Sequence, residues 1–225
     1  MSERIAAVRA RIAAACDRAG RDPAQITLVA VSKTFPAEAV VAAAEAVLSA
    51  AGAGVRDFGE NRVQEGAVKV AAVGAAGVAP CWHLIGHLQT NKVRAALDAF
   101  AILHAVDSER LLRAIAAAAR RPARIMVEVN AAGEATKFGV APGALAALLD
   151  VARTLPSVTV EGLMTVAPRA SDPGELRPLF ARMRALAAAN GLRELSMGMS
   201  DDYEVAIEEG STHVRIGRAI FGARA

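Results

Sequence analysis

The stretch "LVAVSKTFP", Leu28 to Pro36, contains the unit from which the rest of the chain is built. Small and branched apolar residues run into Ser32 and Lys33, and Pro36 then opens an alanine-rich helical segment. A short apolar run followed at once by a helix predicts a buried parallel strand and its covering helix. The stretch also places a lysine where the strand ends, in a chain with 26 Lys+Arg of which only four are lysines.

The same alternation repeats along the chain. We predict strands at Ile26–Ser32, Val55–Gly59, Trp82–Gly86, Ala101–Asp107, Arg124–Asn130, Val158–Val166, Glu194–Ser200 and His213–Gly217. A helix follows each of the first seven, and a further helix, capped by Ser2 and ended by Gly20, precedes them all. The pattern predicts one domain, residues 1–225, folded as a TIM-type (β/α)8 barrel with an extra N-terminal helix. An open doubly wound sheet is the alternative, but it more often has a glycine-rich turn after its first strand.

Composition narrows the classes of function. Hydrophobic residues make up 54% and charged residues 22% of the chain, which is typical of a globular protein. Aromatic residues are only 4% and the net charge of +3 is spread out, so we expect no nucleic-acid partner. No apolar run has the roughly 18 residues of a membrane span, and the N-terminus lacks a signal-peptide core. Cys16 and Cys81 have no CxxC spacing, which favours a reducing cytoplasm without disulfides.

Lys33 is the first candidate functional residue, because the carboxyl ends of barrel strands form the active face. Strand alternation places Lys33 on the same side as Val29 and Val31, so it points into the barrel if they do. An apolar setting lowers the pKa of an ammonium, and a neutral amine attacks aldehydes to form a Schiff base. A lysine that reaches solvent or pairs with Glu60 is the structural alternative, and spacing alone does not separate the two.

An anion site is predicted after the last two strands. Ser200 is placed as the N-cap of a helix that begins "DDY", and Gly217 ends the final strand. Loops after the seventh and eighth strands are the usual phosphate site of this fold, and a helix start attracts anions. Asp201 and Asp202 could satisfy that helix start themselves, so a plain N-cap remains the alternative for Ser200.

Arg215 shares a strand face with Gly217 and needs a partner if it points into the barrel. An ion pair with Glu128 or Glu161 is one possibility, and a hydrogen bond to a ring nitrogen of a bound ligand is the other. A lysine, an anion site and an inward arginine together describe a site for pyridoxal 5′-phosphate (PLP).

Two histidines, His83 and His87, lie four residues apart across a strand end. No carboxylate in the pattern completes a metal-binding set with them, so we expect no metal site. Asn61 is either a turn residue or a ligand contact. Asn130 and the segment 133–139 are interpreted as a mobile loop over the active face.

At these residues the sequence resembles the pyridoxal phosphate homeostasis protein family. The matching stretches are "VAVSKT", "FGENRVQE", "WHLIGHLQTNK", "VDS", "GEATKFGV", "GLM" and "LSMGMSDDYEVAIEEGSTHVRIGRAIFG". The resemblance covers the chain from the first helix to "IFG", and the last of these stretches is long and highly specific. Thr90 and Thr136 stand where serine is common in the family, which keeps a hydroxyl at both positions.

The resemblance implies a barrel similar to the N-terminal domain of alanine racemase. It implies PLP on Lys33, phosphate near Ser200 and Gly217, and a ring nitrogen facing Arg215. It also implies that Asn61 and His87 take part in cofactor binding together with Lys33, Ser200, Arg215 and Gly217. The family is cytosolic, usually monomeric and linked to vitamin B6 and amino-acid homeostasis, with amino acids and PLP-dependent apo-enzymes as candidate partners.

A weakly active, racemase-like PLP enzyme is the alternative function. Two-sided proton transfer needs a second base opposite the lysine. In alanine racemase this base is a tyrosine that comes with a second domain and a partner subunit. The only tyrosine here, Tyr203, is expected near the phosphate end. The sequence leaves open whether bound PLP is stored, delivered or sequestered.

Overall fold

The computed structural model describes residues 1–45, 55–134 and 136–222. Eight parallel strands pair in chain order, and the first also pairs with the last, so the sheet closes into a barrel. The strands are β1 Thr27–Val31, β2 Asp57–Glu60, β3 Cys81–Leu84, β4 Ile102–Val106, β5 Ala123–Glu128, β6 Val158–Met164, β7 Glu194–Ser196 and β8 His213–Ile216. The predicted (β/α)8 barrel is confirmed, and the open sheet is wrong.

Helices cover the barrel on the outside. They are α1 Ser2–Ala19, α2 Ala37–Glu45, α3 Val63–Ala75, α4 Val93–Ala99, α5 Glu109–Ala118, α6 Leu145–Arg153, α7 Arg177–Ala189, α8 Tyr203–Glu208 and α9 Arg218–Phe221. The last strand is therefore also followed by a short helix, and residues 46–50 of the predicted second helix lie outside the described residues. No helix in the described parts of the chain is both long and apolar enough to cross a membrane.

Helix α1 is the predicted N-terminal addition. Its stripe of Ile5, Val8, Ile12 and Cys16 is buried, and Gly20 ends it in the left-handed region at φ 62°. Ser2 is the first helical residue and not the cap. Met1 precedes the helix, and no side chain caps it.

The two faces of β1 contact different parts of the core. Leu28 and Ala30 belong to the large apolar core, which also contains the buried helix residues. Val29 lies in register with Arg215 on β8, and a Cβ at Gly59 would stand 3.1 Å from Val29 Cγ1. Val29 therefore faces the barrel interior, as the alternation predicted.

The interior of the barrel is only partly apolar. Ala105, Met126 and Met164 form a small cluster separate from the large core. Several buried side chains are polar, among them Thr165, His83, His104, Ser196 and Arg215. Buried polar groups need hydrogen-bond partners, so this interior contains a hydrogen-bonded network in addition to apolar side chains.

The loop after β7 differs from the prediction. The strand ends at Ser196, and α8 begins at Tyr203 with Asp202, not Ser200, as its N-cap residue. Oδ1 of Asp202 accepts the backbone N–H of Met199, and Gly198 takes a φ of 93° where any Cβ would meet Tyr203. The loop is thus folded back on its own backbone, which leaves Ser200 in a turn before the helix.

Candidate functional site

The predicted site residues lie at the carboxyl ends of five consecutive strands. In barrel order they are Ser200 after β7, Arg215 and Gly217 on and after β8, Lys33 after β1, Asn61 after β2 and His87 after β3. Because the strands are parallel, these ends meet at one mouth of the barrel. The fold therefore brings all six residues to the same end, although they are spread over most of the chain.

Lys33 sits in the turn that directly follows β1 and is half-buried. The next residue, Thr34, has a φ of 70°, the only positive φ outside glycine among the described residues. Its N–H donates to Oε1 of Glu65 on α3 at 2.6 Å. On the other side, the N–H of Ser32 donates to the carbonyl of Gly59. The turn that presents Lys33 is therefore fixed on both sides.

A buried ion pair supports this turn from below. Nζ of Lys69 donates to Oε1 of Glu60 at 2.6 Å and to the carbonyl of Ser32 at 2.8 Å. The Ser32 hydroxyl donates to the same Glu60 oxygen at 2.7 Å. Glu60 thus forms a buried ion pair with Lys69 of α3. Burial raises the pKa of Glu60, although Lys69 and Ser32 oppose the shift.

Arg215 is buried in the barrel interior and is held by neutral oxygen atoms. Nη1 donates to the carbonyl and to Oγ of Ser196 at 2.7 and 2.6 Å, and Nη2 donates to the carbonyl of Thr165 at 2.8 Å. Glu161 pairs with Arg124 instead, so that predicted ion pair with Arg215 is wrong. Burial lowers the pKa of Arg215 to about 10, which leaves the guanidinium charged at neutral pH.

A hydrogen-bonded chain runs from Arg215 through the interior to the opposite mouth. Ser196 Oγ is 3.0 Å from Nδ1 of His104, whose Nε2 is 2.8 Å from Nδ1 of His83. Nε2 of His83 lies 3.0 Å from Oδ1 of Asp57. A guanidinium only donates and an ionised carboxylate only accepts. With neutral histidines, every bond in the chain therefore points from Arg215 towards Asp57.

Glu128 adds a negative group near Arg215. It is buried at the end of β5, and its own pKa is raised to about 7 by burial and by the charge of Asp107, with Arg215 opposing. Glu128 makes no ion pair within 4 Å among the described residues, so the sequence alternative of an Arg215–Glu128 salt bridge is also wrong at that distance.

Ser200 and Gly217 lie in the loops after the neighbouring strands β7 and β8, and both are half-buried. Gly217 precedes α9, and a Cβ at this position would stand 3.4 Å from the carbonyl oxygen of Val31. That distance is an ordinary contact, so the fold itself tolerates a side chain there. Glycine leaves the backbone at the end of β8 without a side chain.

His87 and Asn61 complete the rim. The His87 ring stacks on Phe138 with centroids 4.0 Å apart, and its Nδ1 lies 3.7 Å from Oδ2 of Asp107. Phe138 belongs to the segment that was predicted to be a loop over the face. A Cβ at Gly86 would meet the carbonyl oxygen of Asn61 at 2.3 Å, so Gly86 lets the β2 and β3 ends approach closely.

Hydrogen bonds join the described parts of the loop after β5. Asn130 Nδ2 donates to the carbonyl of Glu134, and Asn130 Oδ1 accepts the N–H of Gly133. Val129 bridges to Val140 across the base of the loop. The mobility of this loop stays a prediction, while the stacking of Phe138 on His87 agrees with its expected position over the face.

The side chain of Tyr203 packs into the core and is closed to solvent. It is fully buried in the large core at the start of α8, and the Arg11 guanidinium of α1 stands 5.1 Å from its ring centroid. Its hydroxyl has no hydrogen-bond partner among the described residues. Burial raises the pKa of the phenol, so Tyr203 is poorly suited to be a base.

Comparison with known proteins decides the family. The profile of the family described as "Alanine racemase, N-terminal domain" matches residues 4–225. The chain is 43% identical to the pyridoxal phosphate homeostasis protein of Pseudomonas aeruginosa, covering 100% of this chain and 96% of that protein. The chain belongs to the pyridoxal phosphate homeostasis protein family. The Escherichia coli (strain K12) member is 40% identical over 100% of this chain and 97% of that protein.

Solved structures agree with this assignment. PipY of Synechococcus elongatus, solved with PLP bound, is 36% identical and covers 98% of this chain and 99% of that one, with a TM-score of 0.82. Alanine racemase of Clostridium difficile is 15% identical, covers 89% of this chain and 53% of that one, and has a TM-score of 0.68. The second likeness is one of fold alone.

Sequence reasoning missed the polar interior. His104 and Ser196 were not singled out, although each is a polar residue inside an otherwise apolar strand, which is the signal that could have found them. The hydrogen-bond partners of His83 were missed as well. The expectation that no carboxylate accompanies this histidine is wrong, because Asp57 on the neighbouring strand bonds to it.

Proposed function

We propose that the whole chain, residues 1–225, is one PLP-binding domain that acts as a carrier or buffer in vitamin B6 and amino-acid homeostasis. Lys33 holds the aldehyde as a Schiff base with loss of water, and Ser200 and Gly217 lie against the phosphate. Arg215 donates to the ring nitrogen. The relatives named above support this proposal, because they carry that family name and PipY was solved with PLP bound.

The register of β1 and β8 carries the proposal. Val29 lies opposite Arg215, so Lys33 follows four residues further along one strand while Gly217 follows two residues further along the other. Adjacent strands therefore bring an amine, a buried guanidinium and a glycine backbone to the same mouth of the barrel, which supports the proposal. This donor set fits a flat aldehyde with a phosphate at one end, and Asn61 and His87 close the rim on the next two strands.

Robust catalysis is not expected from this arrangement. PLP acts as an electron sink most strongly when its ring nitrogen is protonated opposite a carboxylate. Arg215 can only donate, so the nitrogen facing it stays an acceptor. Tyr203 is buried under α1 and offers no second base at the mouth. With L- or D-alanine in deuterated water, we expect α-proton loss near background. Lys33-dependent exchange at about 1 per second, an enzyme-like turnover, would restore the racemase alternative.

We further propose a monomeric, cytoplasmic protein. The large apolar side chains exposed among the described residues are Val68, Phe138 and Met199, too few for an obligate interface. Cys16 and Cys81 are both free thiols, as expected in a reducing compartment. PLP is the partner, and amino acids and PLP-dependent apo-enzymes are candidate further partners.

Titration of the purified chain with PLP tests the function. The parent should develop the visible absorbance of a Schiff base, Lys33→Ala should lose it, and the matched control Lys92→Ala should keep it. Retained absorbance in Lys33→Ala would refute the proposed binding mode. To test delivery, the loaded protein is mixed with a PLP-dependent apo-enzyme and a trap for free PLP. Activation that outruns spontaneous release supports delivery, whereas activation limited by release supports a buffer.

A further inference from the structure

The amino-terminal mouth of the barrel, opposite the proposed PLP site, carries a second cluster of reactive side chains. Asp57 and Cys81 are the first residues of β2 and β3 and lie in register with each other. His83 follows two residues after Cys81, so both side chains lie on the same face of β3. One donor atom from each of Asp57, Cys81 and His83 lies within 4.8 Å of the other two.

From this cluster we propose a binding site for a single zinc-class divalent cation at the amino-terminal mouth, with Asp57, Cys81 and His83 as its protein ligands. Thiolate, imidazole and carboxylate are the three ligand types that zinc takes in proteins. Three protein ligands leave the fourth tetrahedral position to water, as in open zinc sites. The inference does not depend on PLP binding, because it uses none of the proposed PLP ligands.

The burial of the three groups suits a site that a cation can enter. His83 is fully buried, while Cys81 and Asp57 are half-buried and so reachable from the mouth. A cleft of about 570 Å³ opens at the same end, and its charged lining residues are Glu161 and Glu194 together with Arg124 and Arg193. The three proposed ligands are not among its lining residues. The deep histidine would anchor the ion, and the two shallower ligands would close over it.

The charges at this mouth also admit a cation. Arg124 is paired with the carboxylate of Glu161. Once Cys81 has given up its proton on binding the ion, the thiolate and the Asp57 carboxylate offer two negative charges to a divalent cation.

The ring nitrogen of His83 that faces away from the proposed cation is hydrogen-bonded to His104. Nδ1 of His83 is 2.8 Å from Nε2 of His104, whose Nδ1 is 3.0 Å from Ser196 Oγ. Metal-binding histidines regularly donate their second ring N–H to such a partner, which orients the ring. A fully buried imidazole bonded on its far side is therefore already aimed at Asp57 and Cys81.

Binding has a defined proton balance. The Cys81 thiol releases one proton to solvent and becomes the thiolate ligand. His83 moves its proton from Nε2 to Nδ1, freeing the Nε2 lone pair, and then donates to His104. His104 makes the same shift and donates to Ser196, which accepts from Arg215 as before. One proton leaves per cation bound, and no oxidant or reductant is needed.

Cobalt titration tests the site, because tetrahedral Co²⁺ reports a thiolate ligand by a charge-transfer absorption. The untagged chain, both PLP-free and PLP-loaded, is titrated with Co²⁺ and then with Zn²⁺. We expect one Co²⁺ per chain, a thiolate band, and displacement by Zn²⁺. Cys81→Ala should remove the band, and Asp57→Asn should weaken binding by about tenfold or more. Cys16→Ala is the matched control, since it removes the other thiol from α1 and should change nothing.

A band that persists in Cys81→Ala, or equal weak binding by all variants, would show an adventitious cation only and overturn the site. No binding by the folded parent would overturn it equally. Asp57→Asn keeps the test valid if Cys81→Ala is poorly folded. PLP titration of Cys81→Ala separates the two proposals, because the PLP site should load normally whether or not the cation site exists.

Discussion

The two mouths of this barrel hold different chemistry on the same strands. At the carboxyl end, β1 and β8 lead into Lys33 and Gly217, an amine beside open backbone. At the amino end, β2 and β3 begin with Asp57 and Cys81, a carboxylate beside a thiol above the imidazole of His83. In a parallel barrel all strand starts share one mouth and all strand ends share the other. A polar residue's position within its strand therefore decides which site it joins.

The two mouths also differ in how their backbone is fixed. The carboxyl end depends on turns held by side chains, such as Thr34 bonded to Glu65 and Met199 bonded to Asp202. The amino-end residues lie within strands and are fixed by the sheet itself. Substitutions at the carboxyl end should thus change the positions of the PLP-binding side chains. Substitutions at the amino end should remove single cation ligands and leave the backbone unchanged.

The largest expected effect comes from breaking the buried pair beneath Lys33. Lys69→Met leaves the Glu60 carboxylate buried without its main partner, which should lower the free energy of unfolding by about 3–5 kcal/mol. Urea denaturation of the PLP-free protein measures this loss. Where the variant is still folded, PLP binding should weaken while Co²⁺ binding stays, because only the carboxyl-end turn is disturbed.

The double variant Lys69→Met/Glu60→Gln is the control for that prediction. Removing both charges should recover most of the lost stability. A single variant as stable as the parent, or a double variant no better than the single, would contradict the role given to this pair.

The next effect is on PLP affinity and should leave stability almost unchanged. Gly217→Val fills the open backbone next to Ser200, so the affinity for PLP should fall by about 100-fold, or about 2.7 kcal/mol. The position has a φ of −108°, and a Cβ would make only an ordinary contact with Val31, so the fold accepts the change. Parallel titrations with PLP and with pyridoxal measure the effect.

Pyridoxal, which lacks the phosphate, should bind the parent far less well than PLP and should lose less on Gly217→Val. Cys81→Ala is the matched variant at the other mouth, and it should show the reverse pattern of losing the cation and keeping PLP. Equal binding of pyridoxal and PLP by the parent would place the phosphate elsewhere.

The smallest expected effect is a pH dependence from Glu128. Its folded pKa of about 7 lies above the ordinary value of 4.5, so the folded protein binds more protons between these pH values than the unfolded chain does. Stability from this group is fully present below pH 4.5 and is lost as pH rises through 7. Glu128→Gln should remove a loss of about 2.5 kcal/mol between pH 5 and pH 8.

Urea denaturation of parent and Glu128→Gln across that range checks the prediction, since all other groups cancel in the difference. A difference that does not change with pH would mean that Glu128 is ionised in the folded protein. Co²⁺ affinity of the variant serves as the control, because Glu128 lies towards the carboxyl end.

Much of the fold followed from local pattern, because each apolar strand and its helix are contiguous in sequence. Lys33, Arg215 and Gly217 were found for the same reason: each stands at a strand end and breaks an apolar run. Pairings across the barrel could not be found this way. The His83–His104 contact joins residues 21 apart, and the His104–Ser196 contact joins residues 92 apart. Both depend on strand stagger, which composition does not encode.

The sequence also could not predict which side chains near the site bond to each other. Lys33 and Lys69 were equally available to Glu60 in the sequence, and only the seating of α3 on β2 gives the carboxylate to Lys69. The cap of α8 was assigned to Ser200 because serine is a common N-cap, whereas Asp202 bonds back to Met199 and starts the helix two residues later. Both cases depend on which of two neighbouring groups of similar chemistry bonds to a given partner.

Borohydride reduction of the PLP-loaded protein, followed by peptide mapping, tests the central claim most directly. Reduction fixes the Schiff base to whichever amine holds the cofactor, and the chain has only four lysines to distinguish. The account predicts a single adduct on Lys33, at the carboxyl mouth, and none in Lys33→Ala. An adduct on Lys69, Lys92 or Lys137 would contradict the assignment of that mouth as the PLP site.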